Sequence, residues 1–482
     1  MTTSHAETRP EDAILPPAQM VGYGFQHILS MFGGVIAVPI IIGGAAGLEP
    51  GDQALLVSCA LFVSGLATLL QTIGVPFFGS QLPLVQGISF ASVSTMLTII
   101  TSAEDGETGL REVLGAVIVA SLIGLGVAPF FSRIVRFFPP VVTGTIIAVI
   151  GLSLMPVAAR WITGQEFIAG KENPDYLDIG NIGLAIFTLL AVLIMSKIPV
   201  LSRLAILLGL VVGTVAAFIV GKASFDKVGD ANILAVPTPF AFGTPLFATG
   251  AIVSMTIVMI VIMVETTADV LAVGEVVGTK VDSRRVGDGL RADMLSSAIA
   301  PVFNSFPATA FAQNVGLVAL TGIKSRFVVA AGGVVLAVLG LSPVLAAVIG
   351  VIPLPVLGGA GIVLFGTVAS SGIRTLSKVD YDNNNNMIVV ATALAFGLIP
   401  VVASDFWEEF PEWFITIFHS GISAASIVAV LLNLFFNVFL PGTPEEPTDL
   451  AAAPARMVRE DEAEVLGEGG AFHAGEPVDP TD

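Results

Sequence analysis

Glu265 and Asp269 follow directly on a run of apolar or small residues, Pro245–Val264. Four residues apart, they project from one face of a helix. A carboxylate at the end of such a run is costly unless it meets a cavity or a partner. It therefore marks a substrate or ion pathway, with an interhelical lock as the plainer alternative. A second polar group breaks another apolar run, Pro307–Gly322, where Phe311, Ala312, Gln313 and Asn314 stand in sequence. Each of the two amides carries two N–H donors and a carbonyl acceptor. Lipid satisfies none of these, so they point to a binding site or to polar contacts between helices. Pro83–Ser92 is interrupted in a similar way, by Gln86, Gly87 and Ser89 beside Phe90. Rings such as Phe90 and Phe311 next to polar amides suit a flat heteroaromatic ligand, or simple packing. His27, in the pair Gln26-His27, is read as a neutral hydrogen-bonding partner or a proton relay. Asp293 follows Arg291 at the start of a further apolar run, a position where capping and pairing are the ordinary uses.

Composition says what must hold these groups. Of 482 residues, 54% are hydrophobic and 12% charged, with a mean hydropathy of +0.91. Soluble domains carry roughly 25% charged residues, so this is a polytopic membrane protein whose first partner is the lipid bilayer. The single Cys59 rules out an intrachain disulfide and a cysteine-based metal site. No G-x-x-x-x-G-K-[ST] loop and no H-E-x-x-H helix is present, which argues against ATP-driven transport by this chain alone and against a zinc hydrolase. Nothing suggests a nucleic-acid partner or a cofactor. Residues 1–19 contain Glu7, Glu11 and Asp12 without a cationic region, unlike a cleaved signal peptide. They read as a cytoplasmic N-terminal segment. Half of the formal charge of −18 lies in 441–482, where eleven acids face two arginines. That composition reads as a disordered acidic cytoplasmic tail.

Between these ends, residues 20–440 form the membrane domain. Apolar runs fall near 20–43, 53–75, 83–103, 113–131, 141–162, 179–197 and 201–221, then after a polar stretch near 245–273, 288–305, 307–322, 326–352, 355–375, 387–403 and 414–440. With the N-terminus inside, fifteen Lys and Arg fall on cytoplasmic segments and five on outer ones, which places both termini in the cytoplasm. Trp407 and Trp413 in an outer loop suit an interfacial anchor. Seven runs on each side of the polar stretch make the second half enter the membrane in the opposite sense, the arithmetic of an inverted repeat. The third and tenth runs then correspond, and both are the Pro/Gly-broken ones. Matched broken segments are the sequence pointer to a midplane binding site.

The stretch Gln313-Asn314-Val315-Gly316, four residues, Thr321-Gly322 fits the pattern [Q/E/P]-N-x-G-x-x-x-x-T-[R/K/G]. With the Glu265-Thr266-Thr267-Ala268-Asp269 box, Gln26-His27 and the Gln86–Phe90 segment, it resembles the nucleobase–ascorbate transporter family (nucleobase:cation symporter-2) over about residues 18–440. The resemblance implies an all-α membrane protein of about fourteen spans in two inverted seven-span repeats. A core domain would hold spans 1–4 and 8–11 and a gate domain spans 5–7 and 12–14, with short strands in spans 3 and 10. It implies a homodimer and a symporter, not an enzyme, moving a nucleobase by shifting core against gate. The proton is the expected coupling ion, with sodium not excluded. Carried over, Glu265 and Gln313 would hydrogen-bond the base, Phe311 and Phe90 would border its faces, and Ala312 would add a backbone contact. Asn314 would brace the site, while Glu265, Asp269, Asp293 and His27 would form the polar, proton-coupling network. Gln313 in place of glutamate, Asp269 in place of histidine and the Thr321-Gly322 ending distinguish the chain from uracil-type members and imply xanthine or uric acid. Ser89 stands where xanthine members often carry asparagine, which leaves urate open.

Overall fold

In an apolar surround each backbone N–H and C=O must find its partner within the chain, and helices are the default solution. A computed structural model describes residues 9–131, 135–164, 167–168, 171–172, 176–199, 201–224, 235–342, 344, 348–349, 351–381 and 384–439. The acidic tail 441–482 lies outside them. Each apolar run of the sequence is realised as a helical segment. In the first half these are α1 (Pro17–Ala45), α2 (Pro50–Ile73), α3 (Val93–Ser102), α4 (Gly106–Val127), α5 (Pro140–Ser153), α6 (Met155–Thr163), α7 (Ile179–Lys197) and α8 (Ala205–Ile219). In the second half they are α9 (Thr249–Val277), α10 (Ser283–Ile299), α11 (Ala312–Thr321), α12 (Arg326–Gly340), α13 (Leu354–Leu376), α14 (Asn384–Val402), α15 (Glu412–Phe418) and α16 (Gly421–Asn433). Among the described residues, nine helical stretches are long and apolar enough to cross a membrane. Among the described residues four strands complete the fold: β1 (Gln86–Ile88), the short hairpin β2 (Phe167–Ile168) and β3 (Lys171–Glu172), and β4 (Ala308–Ala310).

The helix ends follow from local chemistry. Proline is the first residue of α1, α2 and α5, where its missing N–H costs nothing. Asp105, Asp178 and Asp282 cap α4, α7 and α10 by accepting a backbone N–H. Lys222, just past α8, donates to Asp178 Oδ2 at 2.5 Å and to Asn181 Oδ1 at 2.7 Å, joining the end of α8 to the start of α7. That cation, with the Asn181 N–H, holds the Asp178 carboxyl below its ordinary range.

Without a hydrophobic drive between helices in lipid, close packing depends on small residues. A Cβ on Gly65 would lie 2.4 Å from Ala337 N, so α2 and α12 meet at backbone distance. A Cβ on Gly151 or on Gly372 would come within 2.2 Å of the facing backbone, which brings α5 and α13 equally close. One set of helices builds on α2–α12, with α1 against α12 and α4 against α9 and α10. Another builds on α13, which runs against α5, α6, α7 and α8, with α14 and α16 beside α5. The sets touch where α9 meets α15 and α16 and where α1 meets α8. A hydroxyl contact of 2.6 Å from Thr95 on α3 to Ser420, the cap of α16, joins them as well.

One expectation is corrected. Trp407 is not an interfacial anchor: it is 5% exposed, enclosed by Phe396, Phe406, Phe410, Phe414 and Phe418. So many neighbouring rings give the indole an apolar shell of its own, which outweighs the headgroup level it would otherwise seek. The side chain of Trp413 lies outside the described ones.

Candidate functional site

The two broken segments meet. Pro83 and Pro307 keep the chain extended on entry, and β1 and β4 pair antiparallel with Gln86 opposite Ala310, Gly87 opposite Thr309 and Ile88 opposite Ala308. Two flanking bonds lengthen the ribbon: the Phe311 N–H donates to Val85 O at 3.1 Å and the Ser89 N–H to Pro307 O at 2.8 Å. Immediately after each strand a helix begins, α3 following a 3-10 turn at Phe90–Ser92 and α11 following Phe311. Two helix N-termini, the positive ends of their dipoles, therefore open beside one short ribbon.

Around it the candidate residues separate by role. Asn314 is fully buried: its Oδ1 accepts from His27 Nδ1 at 2.8 Å and its Nδ2 donates to Pro83 O at 2.5 Å. That bond places the His27 proton on Nδ1. Ser89 is also fully buried, its hydroxyl accepting the Ala91 N–H at 3.2 Å. Asp293, 1% exposed, accepts from the Thr266 hydroxyl at 2.5 Å, and Thr266 lies 3.2 Å from Thr309 on β4. Asp269 is buried on α9 within electrostatic reach of both Glu265 and Asp293. Glu265 is half-buried on the same helix. The rings of Phe90 and Phe311 are stacked, 6.4 Å apart at 24°.

Beside this arrangement lies a cavity of about 280 Å³. Ser30, Gly33 and Gly34 of α1, with Phe311, Gln313 and Gly316, face Ile206 of α8 and Leu364 and Thr367 of α13 across it. Of the candidates, Gln313 and Phe311 are in its wall. Gln313 and Ala312 are exposed, unlike the buried Asn314 next to them. The cavity lies where the two sets of helices adjoin, as binding sites between helices commonly do. Its chemistry is an aromatic face, an amide with donor and acceptor together, the hydroxyl side chains Ser30, Ser202 and Thr367, and otherwise small or apolar walls. Among the described residues no cluster of His, Cys, Asp and Glu is arranged to hold a metal ion.

Sequence reasoning missed the supporting cast. Thr68 on α2 accepts the Gln86 N–H at 2.9 Å and donates to Ser64 O at 2.8 Å. Ser297 on α10 accepts the Ala308 N–H at 3.0 Å. Gly87 gives Phe311 its seat: a Cβ there would lie 2.4 Å from the ring's Cζ. Hydroxyls in the middle of apolar runs were the available signal, but a hydroxyl bonded to its own helix looks the same in sequence.

The architecture is that of a polytopic membrane protein. The chain superposes on the transmembrane domain of a cyanobacterial bicarbonate transporter, BicA, with a TM-score of 0.58 over 87% of this chain and 99% of that one, at 16% identity. On murine Slc26a9 in its inward-facing state the TM-score is 0.60 over 88% and 69%, at 14% identity. At such identities the likeness is one of fold alone. Sequence is more specific: the Permease family model (Xan_ur_permease) matches residues 18–406, and the chain belongs to that family. It is 38% identical to the uric acid transporter UacT of Escherichia coli K12 over 91% of this chain and 90% of that protein. It is 39% identical to the xanthine permease of Bacillus subtilis 168, over 89% and 96%. Uric acid permease PucK of the same organism is 39% identical over 89% and 98%. The chain is thus a multi-pass membrane permease and not an enzyme.

Proposed function

We propose that this chain takes up an oxidised purine, xanthine or uric acid, across the cytoplasmic membrane as a proton-coupled symporter. The observation that carries the reading is the cavity between the two sets of helices, walled by Phe311 and Gln313. A flat ring fits against Phe311, and the Gln313 amide offers a donor and an acceptor to the adjacent carbonyl and N–H groups of an oxopurine edge. Glu265, Ala312, Phe90, Ser89 and Asn314 complete the substrate site in this proposal. Uric acid and xanthine are the substrates named for the relatives.

In this reading the core is α1–α4 with α9–α12 and the gate is α5–α8 with α13–α16. The cavity lies on their seam, and movement of core against gate exposes it to each side in turn. The acids Glu265, Asp269 and Asp293, with His27, carry the coupling proton. Both termini are cytoplasmic, and the working unit is a homodimer.

Cells lacking purine uptake of their own should, when expressing this chain, accumulate labelled xanthine or urate saturably. A protonophore should abolish the accumulation, and replacing sodium should not. Gln313→Glu should shift preference between bases or abolish uptake. Background uptake of both bases, from protein verified in the membrane, refutes the proposal.

A further inference from the structure

The ion pair most deeply buried among the described residues is not at the cavity. Glu11, in the segment that precedes α1, is 0% exposed and accepts from Arg285 Nη2 at 2.6 Å and from the Thr279 hydroxyl at 3.0 Å. A carboxylate in a terminal segment is ordinarily solvated, and full burial is costly unless its partners are fixed. Arg285 is fixed from the far side too. Its Nε donates to Ser80 O at 2.6 Å and its Nη2 to Gln81 O at 2.9 Å, the carbonyls just before Leu82 and the approach to β1. Two further contacts hold the segment: Asp12 pairs with Arg326 at 2.7 Å, and the Ser325 hydroxyl donates to Ala13 O at 2.5 Å.

The turn that Arg285 grips is also held from α2, where Gln71 O accepts the Gln81 N–H at 3.0 Å and Gln71 Oε1 the Ser80 N–H at 3.3 Å. Phe77 and Gln81 have positive φ, as do Gly74 and Gly79, a conformation that side-chain-bearing residues hold only when their surroundings impose it. Helix α10 imposes it at three points: Arg285, Arg291 Nε to Phe77 O at 2.8 Å, and Asp288 O accepting the Gly79 N–H at 2.7 Å. That same helix holds β4 through Ser297 and Thr266 through Asp293. One helix therefore holds both the turn that leads into β1 and the strand β4, and Glu11 neutralises the arginine at its N-terminal end.

We propose that Glu11 is a positioning residue for transport: through Arg285 it holds the turn before β1, and so sets the geometry of the strand pair beside the substrate cavity. The proposal rests on the transport reading above only for its second readout. In the first, hydrogen–deuterium exchange on the full-length, substrate-free protein compares wild type with Glu11→Ala and Glu11→Gln. Amides at 85–89 and 308–311 should exchange about tenfold faster in Glu11→Ala, with Glu11→Gln, which keeps an acceptor, between the two. In the second, uptake kinetics normalised to protein in the membrane should show KM for xanthine or urate raised about fivefold with the maximal rate little changed. Asp12→Ala, which cuts the neighbouring pair, should leave both readouts within about twofold of wild type. If Glu11→Ala does not accumulate, Glu11→Gln carries the comparison. Faster exchange confined to residues 9–16, or reduced abundance with KM unchanged, overturns the proposal. A wild-type protein that moves neither base refutes the transport reading and leaves the exchange test standing.

Discussion

Gly87→Ala tests the seat of the ring that walls the cavity. The new methyl would lie 2.4 Å from Phe311 Cζ, 2.7 Å from Cε1 and 2.9 Å from Cε2, whereas ordinary contact begins at 3.4 Å. Phe311 must move by about 1 Å or more, and on a packed surface a displacement of that size forfeits much of the dispersion contact on the opposite side. The ring has little room to retreat. It is 4% exposed, and the same end of the ring lies against Gly34, where even a Cβ would be 3.0 Å from Cε2. Overpacking of this kind costs about 1–3 kcal/mol, or about five- to 150-fold in the equilibrium that seats the ring. Because Phe311 also walls the cavity, the loss should appear as a raised KM for xanthine or urate in normalised uptake assays. Gly44→Ala on the same helix as Gly34 is the control, since a Cβ there meets nothing within 4 Å. Adding Phe311→Leu to Gly87→Ala should restore part of the stability, a coupling expected only of residues in contact. A Gly87→Ala protein with wild-type KM and wild-type thermal stability refutes the reasoning.

Other expectations follow from the hydrogen bonds. Asn314→Ala strands both the His27 Nδ1–H and the Pro83 carbonyl, at about 1–3 kcal/mol for each buried group. Its melting temperature in detergent should fall clearly, and adding His27→Ala should cost little more; a wild-type melting curve counts against this. Thr68→Val removes the hydroxyl that serves the Gln86 backbone and should cost about 1–3 kcal/mol with loss of uptake. Thr72→Val, whose hydroxyl bonds within its own helix, should cost much less, and equal effects at the two positions would place the support of β1 elsewhere.

Much of this was legible from the residues alone. Apolar runs announce helices because lipid leaves the backbone no other partner, and each run has its helix. The interruptions at Pro83–Ser92 and Pro307–Gly322 announced a matched pair, and β1 and β4 do pair with each other. Gln313 is exposed in the cavity wall, whereas Asn314 next to it is buried against His27 and Pro83. What stayed hidden depends on distance along the chain. Asn314 and His27 are 287 positions apart, and Glu11 and Arg285 are 274 apart. No local pattern marks such partners. An acid in a polar terminal segment looks solvated until the fold encloses it. Trp407 looked interfacial because its acidic neighbours are visible in sequence, whereas the enclosure by five phenylalanines is not.

A two-stranded ribbon at the heart of a membrane protein raises a difficulty that helices and closed barrels avoid, because it has two outer edges. The bonds from Phe311 N to Val85 O and from Ser89 N to Pro307 O face inward, and the alternation of an antiparallel ladder puts Gly87 and Thr309 in the same class. Gln86 and Ala308 then turn their backbone groups outward. Thr68 of α2 meets the first and Ser297 of α10 meets the second, each hydroxyl accepting the strand N–H and lying within 3.3 Å of the same residue's carbonyl oxygen. Each edge is thus met by one hydroxyl, one from each half of the chain. That arrangement leaves the Thr309 side chain free to reach Thr266, and through it Asp293, while the residue opposite Thr309 is the glycine beneath Phe311. The buried acid and the cavity's aromatic wall are placed by the same pair of residues. Contiguity of this kind does not by itself establish coupling. The expected outcome is that a change at the ribbon's edge at Thr68 disturbs the seat of Phe311 as well, and the KM of Thr68→Val set against that of Gly87→Ala measures this.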